Sequence, residues 1–200
     1  MAITAQQVRE LRQLTDAPMM DCKKALTECD GNMEESVKWL RERGMSKAAK
    51  KSGREMAEGR VESYIHTNRQ VGVLLEMQCE TDFCAKSDAF GELARDICMH
   101  IAAADPAPLA LAAEDVAPEL IEKEKEIYME QAKQSGKPEQ FWPKIVEGRL
   151  KKFMQSVALL EQSFVKNPEL TVGQLLHEAV GRLGENIHIR RFIKYRVGEE

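Results

Sequence analysis

Apolar residues recur with a helical period as far as Gly44, and a strand period first begins at Val61. In the first part, three short apolar stripes are each preceded by a polar residue or proline and followed by a break, which predicts three short helices. The first is expected over about residues 5–14, and Gly44 is expected to end the third. The residues that mark the expected starts and ends are Thr4, Gln7, Pro18, Gly31, Asn32 and Gly44.

Two neighbouring stretches then alternate between apolar and polar residues, as strands with one buried face do. Residues 66–70 between them are typical of a turn, so we predict a hairpin. A third alternating stretch at 187–197 is expected to complete a three-stranded sheet. The expected apolar faces of the second and third strands hold Val71, Val73, Leu75 and Met77, and Ile187, Ile189, Ile193, Tyr195 and Val197.

Two strong helical stripes are available to cover this sheet. One follows the hairpin, with apolar residues three and four apart from Phe90 to Ile101. The other precedes the third strand and begins with a capping-box pair, Thr171 and Gln174. Apolar helix faces of this kind pack on a sheet. The chain is therefore expected to be an α+β protein, with a small three-stranded antiparallel sheet covered by helices.

The remaining segments set the expected domain organisation. Residues 1–45 are expected to form a helical domain, 46–59 a basic linker that is partly helical, and 60–200 the α+β core. Within the core, two further helical runs are expected to pair as a hairpin of helices at about 116–157.

Composition excludes several classes of function. The formal net charge is -4, with 29 basic and 33 acidic residues, which gives no overall attraction to nucleic acid or to an anionic membrane. No apolar run approaches the roughly 20 residues of a membrane span, and the start lacks the apolar core of a signal peptide, so we expect a cytoplasmic protein without membrane contact. Direct contact with nucleic acid is not expected either, because no aromatic residue accompanies the basic cluster of the linker. That cluster consists of Lys47, Lys50, Lys51 and Arg54.

The sequence assigns no metal site, no cofactor and no catalytic group. The cysteines are odd in number and form no C-x-x-C pair, so we expect free thiols, and no histidine shares a predicted face with a second metal-type ligand. Motifs of the Ser-His-acid, H-E-x-x-H, phosphate-loop and G-x-G-x-x-G types are absent, so we do not expect an enzyme. The residues considered are Cys22, Cys29, Cys79, Cys84 and Cys98, and His66, His100, His177 and His188.

Two surface features remain as candidate binding sites. Adjacent methionines in a helix cannot both face its core, so one of Met19 and Met20 is expected near the surface. Phe83 follows Thr81 and Asp82 in an expected strand-to-helix turn, where small or polar residues are usual. Thr81 or Asp82 is also expected to cap the long helix that follows.

Four short motifs, in order, give the sequence a resemblance to the bacterial translation elongation factor Ts family over essentially its whole length. They are V-R-E-L-R-Q-L-T followed by M-M-D-C-K-K-A-L at 8–26, A-A-K-K at 48–51, C-E-T-D-F at 79–83 and G-E-N-I-x-I-R-R at 184–191. The length is similar to the short form of the family. The resemblance implies a ubiquitin-associated-like three-helix domain before an α+β core with a small antiparallel sheet, and it leaves homodimer formation open.

The resemblance also implies a function. Members of the family act as guanine nucleotide exchange factors: they bind elongation factor Tu with GDP, displace its Mg2+ and promote GDP release so that GTP can rebind. The family's T-D-F-V turn enters the nucleotide domain of the partner and corresponds here to Thr81, Asp82, Phe83 and Cys84. The positions that resemble the family's N-terminal contact surface are Arg12, Met19 and Met20.

The sequence departs from the family pattern at two places. Cys84 stands where valine is usual, and Asp16 and Pro18 replace both glycines of the T-G-A-G segment. An alternative interpretation is a protein-binding adaptor that uses its ubiquitin-associated-like domain, with Met19 and Met20, and has no exchange activity. RNA binding through the basic residues of the linker and the last strand is a third interpretation, which we rank last.

Overall fold

The computed structural model describes residues 3–15, 17–51 and 53–199, without the side chains of residues 45–50. Asp16 and the side chains of Lys47 and Lys50 therefore lie outside the described residues. The helices are α1 (Ala5–Thr15), α2 (Met19–Glu28), α3 (Met33–Lys51), α4 (Asp82–Lys86), α5 (Asp88–Ala103), α6 (Pro118–Gln134), α7 (Trp142–Val157) and α8 (Val172–Leu183). The strands are β1 (Glu58–Ile65), β2 (Val71–Cys79), β3 (Ser163–Phe164), β4 (Asn167–Thr171) and β5 (Ile187–Arg196).

Helices α1 to α3 pack around an apolar core of their own. The predicted capping box is present, because the Gln7 N–H donates to Thr4 Oγ1 at 3.2 Å and the Thr4 N–H donates to Gln7 Oε1 at 3.0 Å. Asn32 caps α3 as predicted, with Oδ1 accepting from the Glu35 N–H at 3.2 Å. The buried residues of this core are Val8, Leu11, Cys22, Ala25 and Leu26.

The prediction that Gly44 ends the third helix is wrong, because α3 continues to Lys51. Gly44 is not among the glycines with the positive φ that ends a helix. Gly44 lies where α3 meets α8, since a Cβ added to Gly181 of α8 would make an ordinary van der Waals contact, 3.5 Å from Gly44 Cα. The helical part of the predicted linker is the last part of α3.

The sheet confirms the α+β prediction. Strands β1, β2 and β5 form a three-stranded sheet in the order β1-β2-β5. The predicted hairpin is closed by the His66 N–H, which donates to the Val71 carbonyl at 2.9 Å. A second, two-stranded antiparallel sheet of β3 and β4 was not predicted. The buried side chains of β2 are Val73, Leu75, Met77 and Cys79.

The predicted apolar face of β5 is correct only in its first half. Ile187 and Ile189 are buried, but the alternation then shifts by one position because Arg190 and Arg191 are exposed in succession. Phe192 is consequently half-buried. The residues that the shift leaves exposed are Ile193, Tyr195 and Val197.

The chain divides into two compact units. One consists of Met1–Glu62, Glu76–Ala94 and Gln174–Arg190, and the other of Ser63–Leu75, Arg95–Gly173 and Arg191–Glu200. In the second unit, α6 and α7 pack on each other, next to a small core of Ala110, Val116 and Val157. The predicted domain boundaries stay a prediction. Among the described residues, no helix combines the length and the apolar character that a membrane span requires.

Candidate functional site: an exposed phenylalanine on a supported turn

The predicted turn connects β2 to α4, a helix of only five residues. The side chain of Phe83 is 82% exposed, and Asp82 beside it is exposed as well. Cys84 and Ala85 are buried. The short helix therefore packs on the protein through one side and holds the Phe83 ring in solvent on the other.

Thr81 caps α4, and Asp82 is its first residue. Thr81 Oγ1 accepts a hydrogen bond from the Cys84 N–H at 3.2 Å. The expectation of one long capped helix after the turn is wrong, because Ser87 has extended backbone (φ -69, ψ 146) and separates α4 from α5. Ser87 Oγ then accepts from the Phe90 N–H at 3.3 Å, at the start of α5. Phe83 thus has a small helix of its own as a base.

Glu185, which lies between α8 and β5, holds Thr81 through both carboxylate oxygens. Oε2 accepts from the Thr81 N–H at 3.0 Å, and Oε1 accepts from the Thr81 hydroxyl at 2.6 Å. The next residue after Glu185 is a donor instead of an acceptor: the Asn186 N–H donates a hydrogen bond to Glu80 Oε1 at 2.6 Å. Residues 80–81 and 185–186 therefore hold each other reciprocally, and two motifs that are far apart in the sequence meet beneath Phe83.

Arg54 completes this support. Its Nη1 lies 3.3 Å from both oxygens of Glu80, and its carbonyl accepts from Asn186 Nδ2 at 3.3 Å. The Asn186 N–H, with Arg54 as a further donor, holds the pKa of Glu80 below its ordinary value. Arg54 was predicted to belong to the basic linker, and its contact with Glu80 was not predicted from the sequence.

Asp82 gives the exposed tip of the turn a negative charge. Its Oδ2 lies 2.7 Å from Lys86 Nζ, one helical turn later, and both side chains are largely exposed. The hydrogen bond from Lys86 lowers the pKa of Asp82, so the carboxylate is ionised at neutral pH. An exposed ion pair of this kind contributes little to stability, so Asp82 can leave Lys86 for another partner at little cost in free energy.

Two buried thiols lie under the turn. Cys79 Sγ, Cys84 Sγ and a carboxylate oxygen of Glu185 all lie within 4.8 Å of one another, and Cys79 Sγ donates to the Thr81 carbonyl at 3.2 Å. Burial raises the pKa of Cys79 and raises that of Cys84 to about 12, so both are neutral thiols. The sequence indicated no such cluster, because neither C-x-x-C spacing nor a shared helix face connects its members.

The N-terminal candidates lie on the surface of the helical module. Met19 is 42% exposed and Met20 is 73% exposed, so the expectation that one of them lies near the surface is met by both. Arg12 is exposed, and so is Leu14, which was not predicted. Both methionines stay outside because the buried face of α2 is formed by Cys22, Ala25 and Leu26.

Comparison with known proteins gives one consistent family. The family model described as Elongation factor TS matches residues 2–199. The chain is 51% identical over 197 residues to Elongation factor Ts of Desulfosudis oleivorans, with 98% of each chain covered. It is 56% identical over 199 residues to Elongation factor Ts of Alkaliphilus oremlandii, with 100% of this chain and 91% of the relative covered. With the protein of that name from Nitratidesulfovibrio vulgaris, the identity is 49% over 200 residues, and the coverage is 100% and 99%.

Proposed function

The chain belongs to the elongation factor Ts family, and we propose that it promotes guanine nucleotide exchange on elongation factor Tu through the turn at 81–83. In this role it binds elongation factor Tu with GDP, displaces Mg2+ and releases GDP so that GTP rebinds. The observation that carries the proposal is the 82% exposure of Phe83 on a turn whose base is fixed by hydrogen bonds. In this role the chain acts by binding its partner. The relatives named above carry the name of an elongation factor, and none is named as an adaptor.

Exchange by such a protein follows from binding linkage. A factor that binds the nucleotide-free partner more tightly than the loaded partner weakens nucleotide affinity by the same ratio. Each tenfold weakening requires about 1.4 kcal/mol of differential binding. The nucleotide of a GTPase is held by backbone amides, a lysine and a bridging Mg2+, so the metal and the phosphate loop are the points at which such a factor acts.

The residues of the turn have different roles in this proposal. The Phe83 ring enters an apolar pocket of the partner, and the Asp82 carboxylate acts on the surroundings of the partner's Mg2+. Thr81 is held by Glu185 and caps α4, so it fixes the direction of the ring. Cys84 is 4% exposed and supports the turn from below, in the position where the family has valine. Substituting a small thiol for valine preserves this packing.

One side chain is too small to account for a large exchange effect. Burial of a phenylalanine contributes on the order of 2 kcal/mol, which is equivalent to about thirtyfold in affinity. The helical module must therefore dock as well, and Arg12, Met19 and Met20 are the residues that we assign to that contact. The exposed Leu14 lies in the same module and offers further apolar area.

A binding experiment tests the linkage on which this proposal rests. The full chain is immobilised and exposed to elongation factor Tu that is either nucleotide-free or loaded with GDP and Mg2+. We expect much tighter retention of the nucleotide-free form, and we expect added GDP with Mg2+ to elute it. Equal retention of the two forms would contradict an exchange mechanism, since a ligand with equal affinity for two states does not shift the equilibrium between them.

A further inference from the structure

We propose that Cys79, Cys84 and Glu185 form a binding site for one thiophilic divalent cation, Zn2+, directly beneath the turn that carries Phe83. The three donors come from three separate elements of the same compact unit: Cys79 ends β2, Cys84 lies in α4, and Glu185 lies between α8 and β5. The site is distinct from the exposed surface that meets the partner, because both thiols are buried.

The spacing of the donor atoms suits a tetrahedral ion. Zinc binds thiolate sulfur at about 2.3 Å and carboxylate oxygen at about 2.1 Å, which places two sulfur ligands about 3.8 Å apart. All three donor atoms lie within 4.8 Å of one another, so small side-chain movements complete the coordination. Three protein ligands leave a fourth position for water, as in zinc sites that are not purely structural.

The donor types select the ion. Two thiolates favour Zn2+ and its heavier analogue Cd2+ over Mg2+ or Ca2+, which prefer oxygen ligands. The site is therefore not a second place for the Mg2+ of the partner. Binding displaces one proton from each thiol, so each Zn2+ releases two protons.

Buried thiols often serve only as small apolar side chains, but this cluster has a feature that packing does not require. Both thiols lie within 4.8 Å of the same carboxylate oxygen. Glu185 already binds the Thr81 N–H and hydroxyl, so its carboxylate is held in place by these two donors before a metal arrives. Such hydrogen bonds to a ligand are typical of metal sites, in which they orient the coordinating group.

Titration of the reduced, metal-free full chain with Cd2+ and Zn2+ tests the site. We expect one equivalent of Cd2+ to produce the ultraviolet thiolate-to-metal absorption of two sulfur ligands, and one equivalent of Zn2+ to release two protons and raise the melting temperature. Cys84→Val is expected to lower the affinity at least about a hundredfold and to remove most of the absorption, because a direct ligand matters at least as much as its orienting neighbours.

The control is Cys29→Ser, which removes a more accessible thiol of the same chain. We expect this variant to bind metal as the unaltered chain does. Glu185→Gln is expected to keep the thiolate absorption and to bind about tenfold more weakly. The proposal is overturned if the unaltered chain shows no thiolate absorption and no rise in melting temperature with Zn2+, if Cys84→Val binds equally well, or if Cys29→Ser removes the signal. If Cys84→Val does not fold, the thiolate absorption and the melting temperature of the unaltered chain decide whether the site exists.

Discussion

Glu185 accepts hydrogen bonds from both the N–H and the hydroxyl of Thr81, at 3.0 and 2.6 Å, although the two residues are 104 positions apart in the sequence. The same hydroxyl accepts from the Cys84 N–H and so caps the helix that carries Phe83. A single threonine thus connects the C-terminal motif to the exposed ring. This arrangement explains how a five-residue helix, too short to be stable alone, presents a phenylalanine in a fixed direction.

Thr81 offers a direct test of this connection. Thr81→Val keeps the shape of the side chain but removes the cap and one of the two hydrogen bonds to Glu185. We expect it to lower the free energy of unfolding by about 1 kcal/mol and to slow GDP release, because Phe83 loses its fixed base. Thr81→Ser keeps the hydroxyl and is expected to retain most of both properties. Urea denaturation and stimulated release of labelled GDP measure the two effects, and equal behaviour of the two variants would rule out the hydroxyl as the connection.

Glu80 makes the support of the turn sensitive to acid. Its pKa is lower in the folded chain than its ordinary value of 4.5, mainly because of the Asn186 N–H. The folded state therefore binds fewer protons than the unfolded chain, so this contribution to stability is present above pH 4.5 and is lost as the pH falls through the folded pKa.

Glu80→Gln removes the titrating group. We expect the variant to be less stable than the unaltered chain at neutral pH and the difference to shrink as the pH falls below 4.5. Urea midpoints measured across this range give the comparison. A difference that stays constant with pH would show that the Glu80 carboxylate does not contribute through its charge.

Asp82 is proposed to act through the Mg2+ of the partner. We expect Asp82→Asn to slow stimulated GDP release when Mg2+ is present, and we expect this difference to disappear when a chelator has removed the ion. Asp88→Asn serves as the control, because Asp88 is also exposed and also begins a helix. A defect of Asp82→Asn that persists without Mg2+ would mean that the carboxylate has another role.

Substitution of the two exposed methionines is expected to weaken docking to the partner. Met19→Ala combined with Met20→Ala removes apolar area from the surface of the helical module but none from its core. We expect a higher factor concentration for half-maximal GDP release, with little change in the rate at saturation and less than about 0.5 kcal/mol change in stability. Arg12→Ala is expected to act in the same direction. Leu109→Ala is the control, since Leu109 is 60% exposed and lies in the other compact unit.

Local sequence signals predicted the elements whose causes are local. The capping box at Thr4 and Gln7 and the apolar stripe from Phe90 to Ile101 each act within a few residues, and the corresponding helices were predicted. The break at Ser87 was not, because α4 and α5 together resemble one helical run and only the extended backbone of Ser87 separates them. The change of buried face along β5 was not predicted either, since alternation alone does not indicate where a strand is irregular.

The support of the candidate site depends on tertiary structure and was beyond the sequence. Phe83 was recognisable from its unusual place in a turn. Glu80 and Glu185 lie in two of the quoted motifs, but nothing in the sequence indicated that their carboxylates support the turn. Gly44 was assigned to the end of a helix because glycine usually has that role there. Its actual surroundings, which include a contact with Gly181, depend on a helix far along the chain. The cluster of Cys79 and Cys84 with Glu185 was missed for the same reason.

The most direct test of the central claim compares Phe83→Ala with Phe141→Ala, since both rings are exposed and only the first lies on the proposed site. The measurement is the rate of labelled GDP release from elongation factor Tu at limiting factor concentration. The account predicts a loss of up to about thirtyfold for Phe83→Ala with an unchanged melting temperature, and an unchanged rate for Phe141→Ala. A normal rate for a folded Phe83→Ala protein would contradict the account.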